Sequence, residues 1–492
     1  MHATLAGLAV LVAITGCTAG PRFVAPAVPP ADAYTRANAV PRLGAGPGEP
    51  AQHLSIRNAP PPAWWERFGS PAIDDLVRRA LANSPTLDAA RETLAQAEQV
   101  VQEARAGLYP AIDLAASAQR QKGPAFALGL LPAHAGLPQY DLYSVGPTVR
   151  FEPDVFGLTA RRIEERAALA DLQRDQLEAA VLAVTGNTVT AAIELAALHT
   201  EIDAVRRVVA DDERGLALLR QRLAVGRAAR ADELVAQAEL ARDRARLPAF
   251  DRRLAATEDA LAVLLGEAPA RVTVPTFDQD ALHLPTELPL VLPSRLVRYR
   301  PDILASESIV HARSAAVGVA TGEMLPQIDL SGAFGTSALA VRSLFESSST
   351  VWSVAAGLTA PVFHGGALAA QRRAAVAGLN ASLATYRETV LAAFGQVADT
   401  LRSLGDDAAA VRATHRVLTL ARATLRIQRA RFAVGRIDES RLIDADRAVA
   451  NARVDYAQAV GQREIDSARL FVALGGTSPA EHPSPASGEP AR

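Results

Sequence analysis

The chain has 492 residues, 49% hydrophobic and only 5% aromatic, with a formal net charge of −2. That balance lacks the basic excess of a nucleic-acid-binding protein, and the dominance of Ala, Leu, Arg and Val points to a helix-rich architecture. The single cysteine, Cys17, excludes an intrachain disulfide and a cysteine-based metal cluster.

Residues 5–16, LAGLAVLVAITG, form an apolar run too short for a permanent anchor and right for a signal-peptide core. The run ends in ITGC, where small Thr15 and Gly16 leave the backbone open to a peptidase and the Cys17 thiol is a nucleophile. This pattern resembles the lipobox of bacterial lipoproteins. The resemblance implies cleavage of a signal peptide at 1–16 and covalent lipid on Cys17, and Thr18, standing where an Asp would retain such a protein in the inner membrane, implies the outer membrane. Residues 17–62, rich in Pro and Gly, then form a lipid-anchored extended segment.

Helical patterning starts at WWERFGSP (64–71) and predicts a helix over about 71–107. Strands are expected over about 109–119 and 143–152. In the second, Tyr143, Val145, Pro147, Val149 and Phe151 alternate with Ser144, Gly146, Thr148, Arg150 and Glu152, which gives one apolar and one wet face. Pro147 has no N–H for a ladder, so it belongs where a bond is absent or at a bulge. About ten residues is also the length that crosses a membrane as a tilted strand.

A proline-free stretch over about 158–223 places Leu198, Ile202, Val205, Val209, Leu216, Leu219 and Leu223 on a heptad seam, interrupted by one polar residue, Asp212. Some 65 residues of helix make a rod of roughly 100 Å, too long for one globular core. The rod ends at AVGR (224–227), where Gly226 permits the positive φ that turns a chain, and about 35 residues of helix return. A Pro-rich linker, 267–293, follows.

The plan then repeats. A helix over about 295–322, strands over about 325–335 and 351–361, and a second long helix carrying Leu379, Leu383, Tyr386, Val390, Ala408, Val411, His415, Leu418, Leu425 and Phe432 lead to AVGR at 433–436 with Gly435. SRLIDADRAVANARVDY then opens a second return of about 35 residues, and the polar tail 476–492 is expected to be disordered. Pro85 matches Pro301, and Tyr109-Pro110-Ala111-Ile112-Asp113-Leu114 matches Leu325-Pro326-Gln327-Ile328-Asp329-Leu330. The chain is an internal duplication, repeat 1 at 63–266 and repeat 2 at 294–475. Four strands cannot close a barrel, and an open edge in lipid leaves backbone groups unpaired at several kcal/mol each. The strands either lie outside a membrane or share a barrel with other chains.

LPSRLVRYRPDI (292–303), the lipobox, WWERFGSP and the duplicated VG turns together resemble the TolC-like outer-membrane factor family (NodT/OprM-like) over roughly residues 60–475. The resemblance implies a mainly α fold with membrane β. In it, a homotrimer forms an α-helical barrel of coiled-coil hairpins, continuous with a 12-stranded outer-membrane β-barrel to which each chain gives four strands. It implies an exit duct of a tripartite efflux system, reaching from outer-membrane lipid into the periplasm, with a periplasmic adaptor (membrane fusion protein) and an inner-membrane RND-type pump as partners. The matching adaptor-contact positions at the hairpin tips are Val225, Gly226, Arg227, Val434, Gly435 and Arg436, where the family often has Leu or Thr at the third site. An acidic phrase beyond the second tip corresponds to ESRLIDADR (439–447), which places Asp444 and Arg441 at the periplasmic gate.

Two alternatives share these features, a type I protein-secretion duct and a non-channel lipid-anchored periplasmic coiled-coil scaffold. The nine histidines form no HExxH motif, no GxSxG is present, and GAGPGEP (44–50) lacks the Lys-Ser/Thr of a phosphate loop. His199 and His415 fall on helical seams as packing residues. Met1 and Met324 are the only methionines and give no support to copper export. The chain reads as a passive conduit with no enzymatic activity, and with no cofactor other than the lipid.

Overall fold

The computed structural model describes residues 19–35, 43–44, 51–56, 61, 63–122 and 139–476. The signal peptide, Cys17 and the segment 477–492 lie outside the described residues. In chain order the elements are β1 (His53–Ile56), α1 (Pro71–Asn83), α2 (Pro85–Ala106), β2 (Ala111–Gln121), β3 (Tyr140–Phe151), α3 (Leu158–Ala224), α4 (Arg230–Arg244), α5 (Leu247–Leu264), β4 (Glu287–Leu290), α6 (Pro293–Leu296), α7 (Pro301–Gly322), β5 (Gln327–Ala338), β6 (Thr350–Thr359), α8 (Ala367–Ala433) and α9 (Glu439–Ala473). They divide into two compact units, the described parts of 1–26, 94–172 and 307–385, and those of 27–93, 173–306 and 386–492.

The first unit holds an antiparallel sheet in the order β2-β3-β5-β6. Cross-strand pairs point the same way, so the register sorts the side chains. Ile112 pairs with Val149, Val149 with Gly332 and Gly332 with Val354, and this row continues through Leu114, Tyr143, Phe334, Trp352 and Leu358 on one apolar face. The opposite face carries Asp113, Ser117, Gln119, Thr148, Arg150, Asp329, Ser331 and Ser353, with the Ser144 and Ser337 hydroxyls 3.0 Å apart. The apolar face is open, with Leu114 79% and Trp352 74% exposed. A water-facing sheet would reverse or cover it, whereas lipid would match it. The outer edges of β2 and β6 have no neighbouring strand among the described residues.

Pro147 sits where the β3–β5 register is interrupted, between Val145↔Thr336 and Thr148↔Ala333, as a residue without an N–H requires. Beside it the backbones of Gly146 and Gly335 approach so closely that a Cβ on Gly146 would lie 2.2 Å from the Phe334 carbonyl oxygen.

The start of the described chain is also fastened in this unit. The Ala19 N–H donates to the Phe156 carbonyl at 3.1 Å, and the buried Arg161 donates through Nε to the Ala19 carbonyl at 2.8 Å. Glu164 accepts from Arg161 at 2.6 Å and lies 3.0 Å from His311 Nε2, whose ring stacks on Phe23 with centroids 4.2 Å apart. Gly20 presses on Gly318, where a Cβ on Gly20 would fall 2.4 Å from the Gly318 Cα.

In the second unit, β1 pairs in parallel with β4. Gln52 is buried beside them and joins the Pro285 carbonyl, the Ser467 hydroxyl and the Arg463 guanidinium. Trp64 stacks on Phe471 at 5.3 Å over a core that includes Phe68, Ile73, Leu76 and Leu87. The heptad seam is buried through Leu198, Ile202, Val205, Val209 and Leu216 in α3, and through Tyr386, Val390, Ala408, Val411, Leu418 and Leu425 in α8. Part of α3 is apolar enough to cross a bilayer as a helix, but most of that stretch is buried against the protein.

Three helices expected to be continuous are broken, each at a proline. Ser84 separates α1 from α2 because Pro85 has no N–H to extend the ladder, and Pro301 starts α7 apart from the short α6. Pro248 lies in the first turn of α5, and the first return divides at Ala245–Arg246 into two helices, while the second return, α9, runs unbroken for 35 residues.

Candidate functional site

Both long helices end in the same backbone motif. The Gly226 N–H donates to the Leu223 carbonyl at 3.0 Å and the Arg227 N–H to the Arg222 carbonyl at 2.8 Å. At the other turn Gly435 donates to Phe432 at 2.9 Å and Arg436 to Arg431 at 2.9 Å. This pair of bonds is a Schellman cap, which satisfies two orphan carbonyls and requires a left-handed residue at the glycine. Gly226 has φ 72° and Gly435 φ 69°. Nothing lies within 4 Å of a Cβ built on either, so φ alone demands glycine.

The six tip residues Val225, Gly226, Arg227, Val434, Gly435 and Arg436 are all exposed, the two valines by 67% and 66%. Arg222 of the first hairpin reaches to 3.9 Å from Asp438 of the second, so the two turns are neighbours in this unit. Asp232 caps the first return by accepting from the Ala229 N–H at 3.2 Å, and the buried Glu233 accepts from Arg220 at 3.0 Å and from Arg230.

Behind the tips, Arg447 of α9 enters a pocket of carboxylates on the first hairpin. It donates to Glu239 at 2.7 Å and to Asp243 on α4, and stands 3.7 Å from Asp212 on α3. Arg246 adds a bond to Asp243 at 3.3 Å and one to Asn451 at 3.1 Å. One guanidinium therefore ties three helices together with charge-assisted bonds. Gly215 lets the helices close around it, since a Cβ there would meet Ile443 at 3.1 Å.

Burial pushes the Asp212 carboxyl up to about 6; Arg447 opposes the shift and the nearby Asp243 adds to it. Burial acts on Asp243 too, but the hydrogen bonds from Arg447 and Arg246 outweigh it and hold that carboxyl below the ordinary range. The cluster thus keeps one carboxylate firmly ionised and leaves its neighbour easy to protonate.

Asp444 and Arg441, the residues expected at the gate, are exposed, and neither forms an ion pair among the described residues. Asp444 lines a cleft of about 110 Å³ together with Asp212, Arg222, Glu239, Ser440 and Arg447. Sequence reasoning passed over Arg447, Glu239 and Asp243. Its one trace of them was Asp212, a charge on an otherwise apolar seam, which is where a buried partner should have been sought. The seam histidines are engaged locally. His199 Nδ1 is 3.0 Å from the Phe277 carbonyl oxygen, and His415 meets Tyr456 edge-on at 5.4 Å.

A family model described as "Outer membrane efflux protein" matches residues 76–267 and 292–476. Outer membrane protein OprJ of Pseudomonas aeruginosa is 30% identical over 481 residues, 95% of either chain. Pyoverdine export outer membrane protein OpmQ of the same species is 32% identical over 352 residues, 69% of this chain and 71% of that one. Among solved structures, the outer-membrane channel OprN superposes with a TM-score of 0.81 at 26% identity, covering 94% of this chain and 99% of the other.

Proposed function

Because this chain belongs to the outer membrane efflux protein family, we propose that it is the outer-membrane exit duct of a tripartite efflux system. It acts as a passive homotrimeric channel that carries small toxic molecules from the periplasm to the outside. The observation that carries this reading is the four-stranded sheet with an open apolar face, a polar face and two edges that have no neighbouring strand among the described residues. Three such sheets joined edge to edge close a 12-stranded barrel, apolar toward lipid and polar toward the lumen, which leaves no backbone group unpaired in the membrane. The helices of the three chains continue as the periplasmic tunnel.

Cys17 carries the lipid. The tips at Val225, Gly226, Arg227, Val434, Gly435 and Arg436 meet a periplasmic adaptor, which connects the duct to an inner-membrane RND-type pump that supplies the energy. Asp444 and Arg441 border the periplasmic entrance. OpmQ, a relative named for pyoverdine export, supports a small-molecule cargo over a protein one.

The test is single-channel recording in planar bilayers alongside chemical cross-linking of the purified protein. Steady conductance from a species that cross-links as a trimer is expected. A stable monomer that does not conduct would overturn the proposal. For the entrance, Asp444→Ala should alter conductance or its block by divalent cations, and an unchanged value of both would reject the assignment.

A further inference from the structure

The two hairpin ends carry a charge unlike that of the rest of the chain. Residues 220–233 and 426–441 together hold nine arginines against four acids, whereas the whole chain has a net charge of −2. Of the acids, Asp232 is used as a cap, Glu233 is enclosed by Arg220 and Arg230, and Asp438 faces Arg222. Arg429 is paired with Asp446 at 2.9 Å. Arg227, Arg426, Arg431, Arg436 and Arg441 are exposed and have no ion pair among the described residues.

The placement of two of these runs against helix-capping chemistry. In a Schellman cap the residue after the left-handed glycine commonly makes an apolar contact with the residue whose carbonyl it binds. Here those pairs are Arg227 with Arg222 and Arg436 with Arg431, so both turns set like charges where an apolar contact would stabilise the cap. Favourable interaction with the helix dipole accounts for Arg222 and Arg431 in the last turn. It does not account for Arg227 and Arg436, which lie beyond it. Among the described residues, Val225 and Val434 are the most exposed large apolar side chains at the turns, with Phe432 beside the second turn 38% exposed.

We infer that the partner seated on these ends is an acidic protein tip, with carboxylates surrounding a small apolar contact that meets Val225 and Val434. This rests on the exit-duct reading and adds the chemistry of the partner. Exposed cations without an ion pair among the described residues, set around an apolar centre, match such a surface. They tie association to ionic strength.

The probes are two designed antiparallel helical hairpins with identical bodies, one with Glu-Leu-Glu and the other with Lys-Leu-Lys at its tip. Binding to the full-length protein in detergent is measured at 50 and 300 mM NaCl. The Glu hairpin should bind at least tenfold tighter than the Lys hairpin at low salt and lose most of that advantage at high salt. In a double variant, Arg227→Glu with Arg436→Glu, the preference should invert. Equal binding of the two hairpins, or binding of neither, overturns the inference. So does stronger retention on phosphatidylglycerol vesicles than on the Glu hairpin, which would assign the surface to anionic lipid. Conductance of the unaltered protein from the same preparation separates the two readings, because pores without tip selectivity overturn only the acidic partner, while absence of pores overturns the duct.

Discussion

The two hairpins began as copies and now differ in a complementary way. Aligning the AVGR turns, 224–227 with 433–436, puts Ala421 where Asp212 stands, Arg422 where Glu213 stands, and Ala238 where Arg447 stands. In α3 the stretch before the turn carries Glu201, Asp203, Asp211, Asp212 and Glu213, whereas the second hairpin has no acid between Asp407 and Asp438 and seven arginines in the interval. The acids of the first hairpin form the pocket, and the second hairpin supplies the cation that fills it. The two halves share the backbone of the turn, while their side chains differ so that each half completes the other's cluster.

The sharpest way to break that comparison is Arg447→Ala. It leaves Asp212 and Asp243 buried without their shared cation, and removing one member of such a group costs about 3–5 kcal/mol. Hydrogen exchange should show the hairpin ends opening, and a loss below about 1 kcal/mol would mean the two halves are not coupled through this cluster. Next is Asp212→Asn. A carboxyl whose folded value is raised to about 6 contributes stability that is full below the unfolded value and is lost as pH rises through about 6. The variant should therefore melt close to wild type below about pH 4 and gain about 1–3 kcal/mol at pH 8, an order-of-magnitude range for a shift of this size. Asp243, whose value is lowered, has the opposite sign, and its contribution is lost in acid.

Gly226→Ala and Gly435→Ala should each cost about 1–2 kcal/mol from the left-handed backbone alone. Both sites are open, so denaturation of the two variants should give equal losses, and unequal ones would show that the turns have diverged as the helices have. The smallest effect is expected for Pro248→Ala, which should change stability by less than about 1 kcal/mol while joining α4 and α5 into one helix like α9. Amide protection appearing at residues 245–248 is the readout.

The strands and both long helices were legible because their patterns answer to a single surface each. Alternation at Tyr143–Phe151 and Val351–Thr359 reports one apolar face, and threes and fours from Leu198 to Leu216 report one seam. The turns were legible from two glycines whose φ no other residue shares so easily. The breaks at Ser84 and at Ala245–Arg246 are not legible in the pattern, although Pro85 and Pro248 are visible, because helical patterning resumes after an interruption of only one or two residues. The Arg447 cluster was hidden for a different reason. Its members come from 212, 239, 243 and 447, and only tertiary packing brings those positions within reach of one side chain.

The outer edges of β2 and β6, which have no neighbouring strand among the described residues, bear on how a working pore is completed. A newly exported copy has its hydrogen-bonding rims bare until it meets two others, and such rims recruit strands indiscriminately. Productive closure is a three-body event that falls steeply with copy number, while mispairing needs only one neighbour of any kind. Scarcity should therefore harm yield more than proportionally.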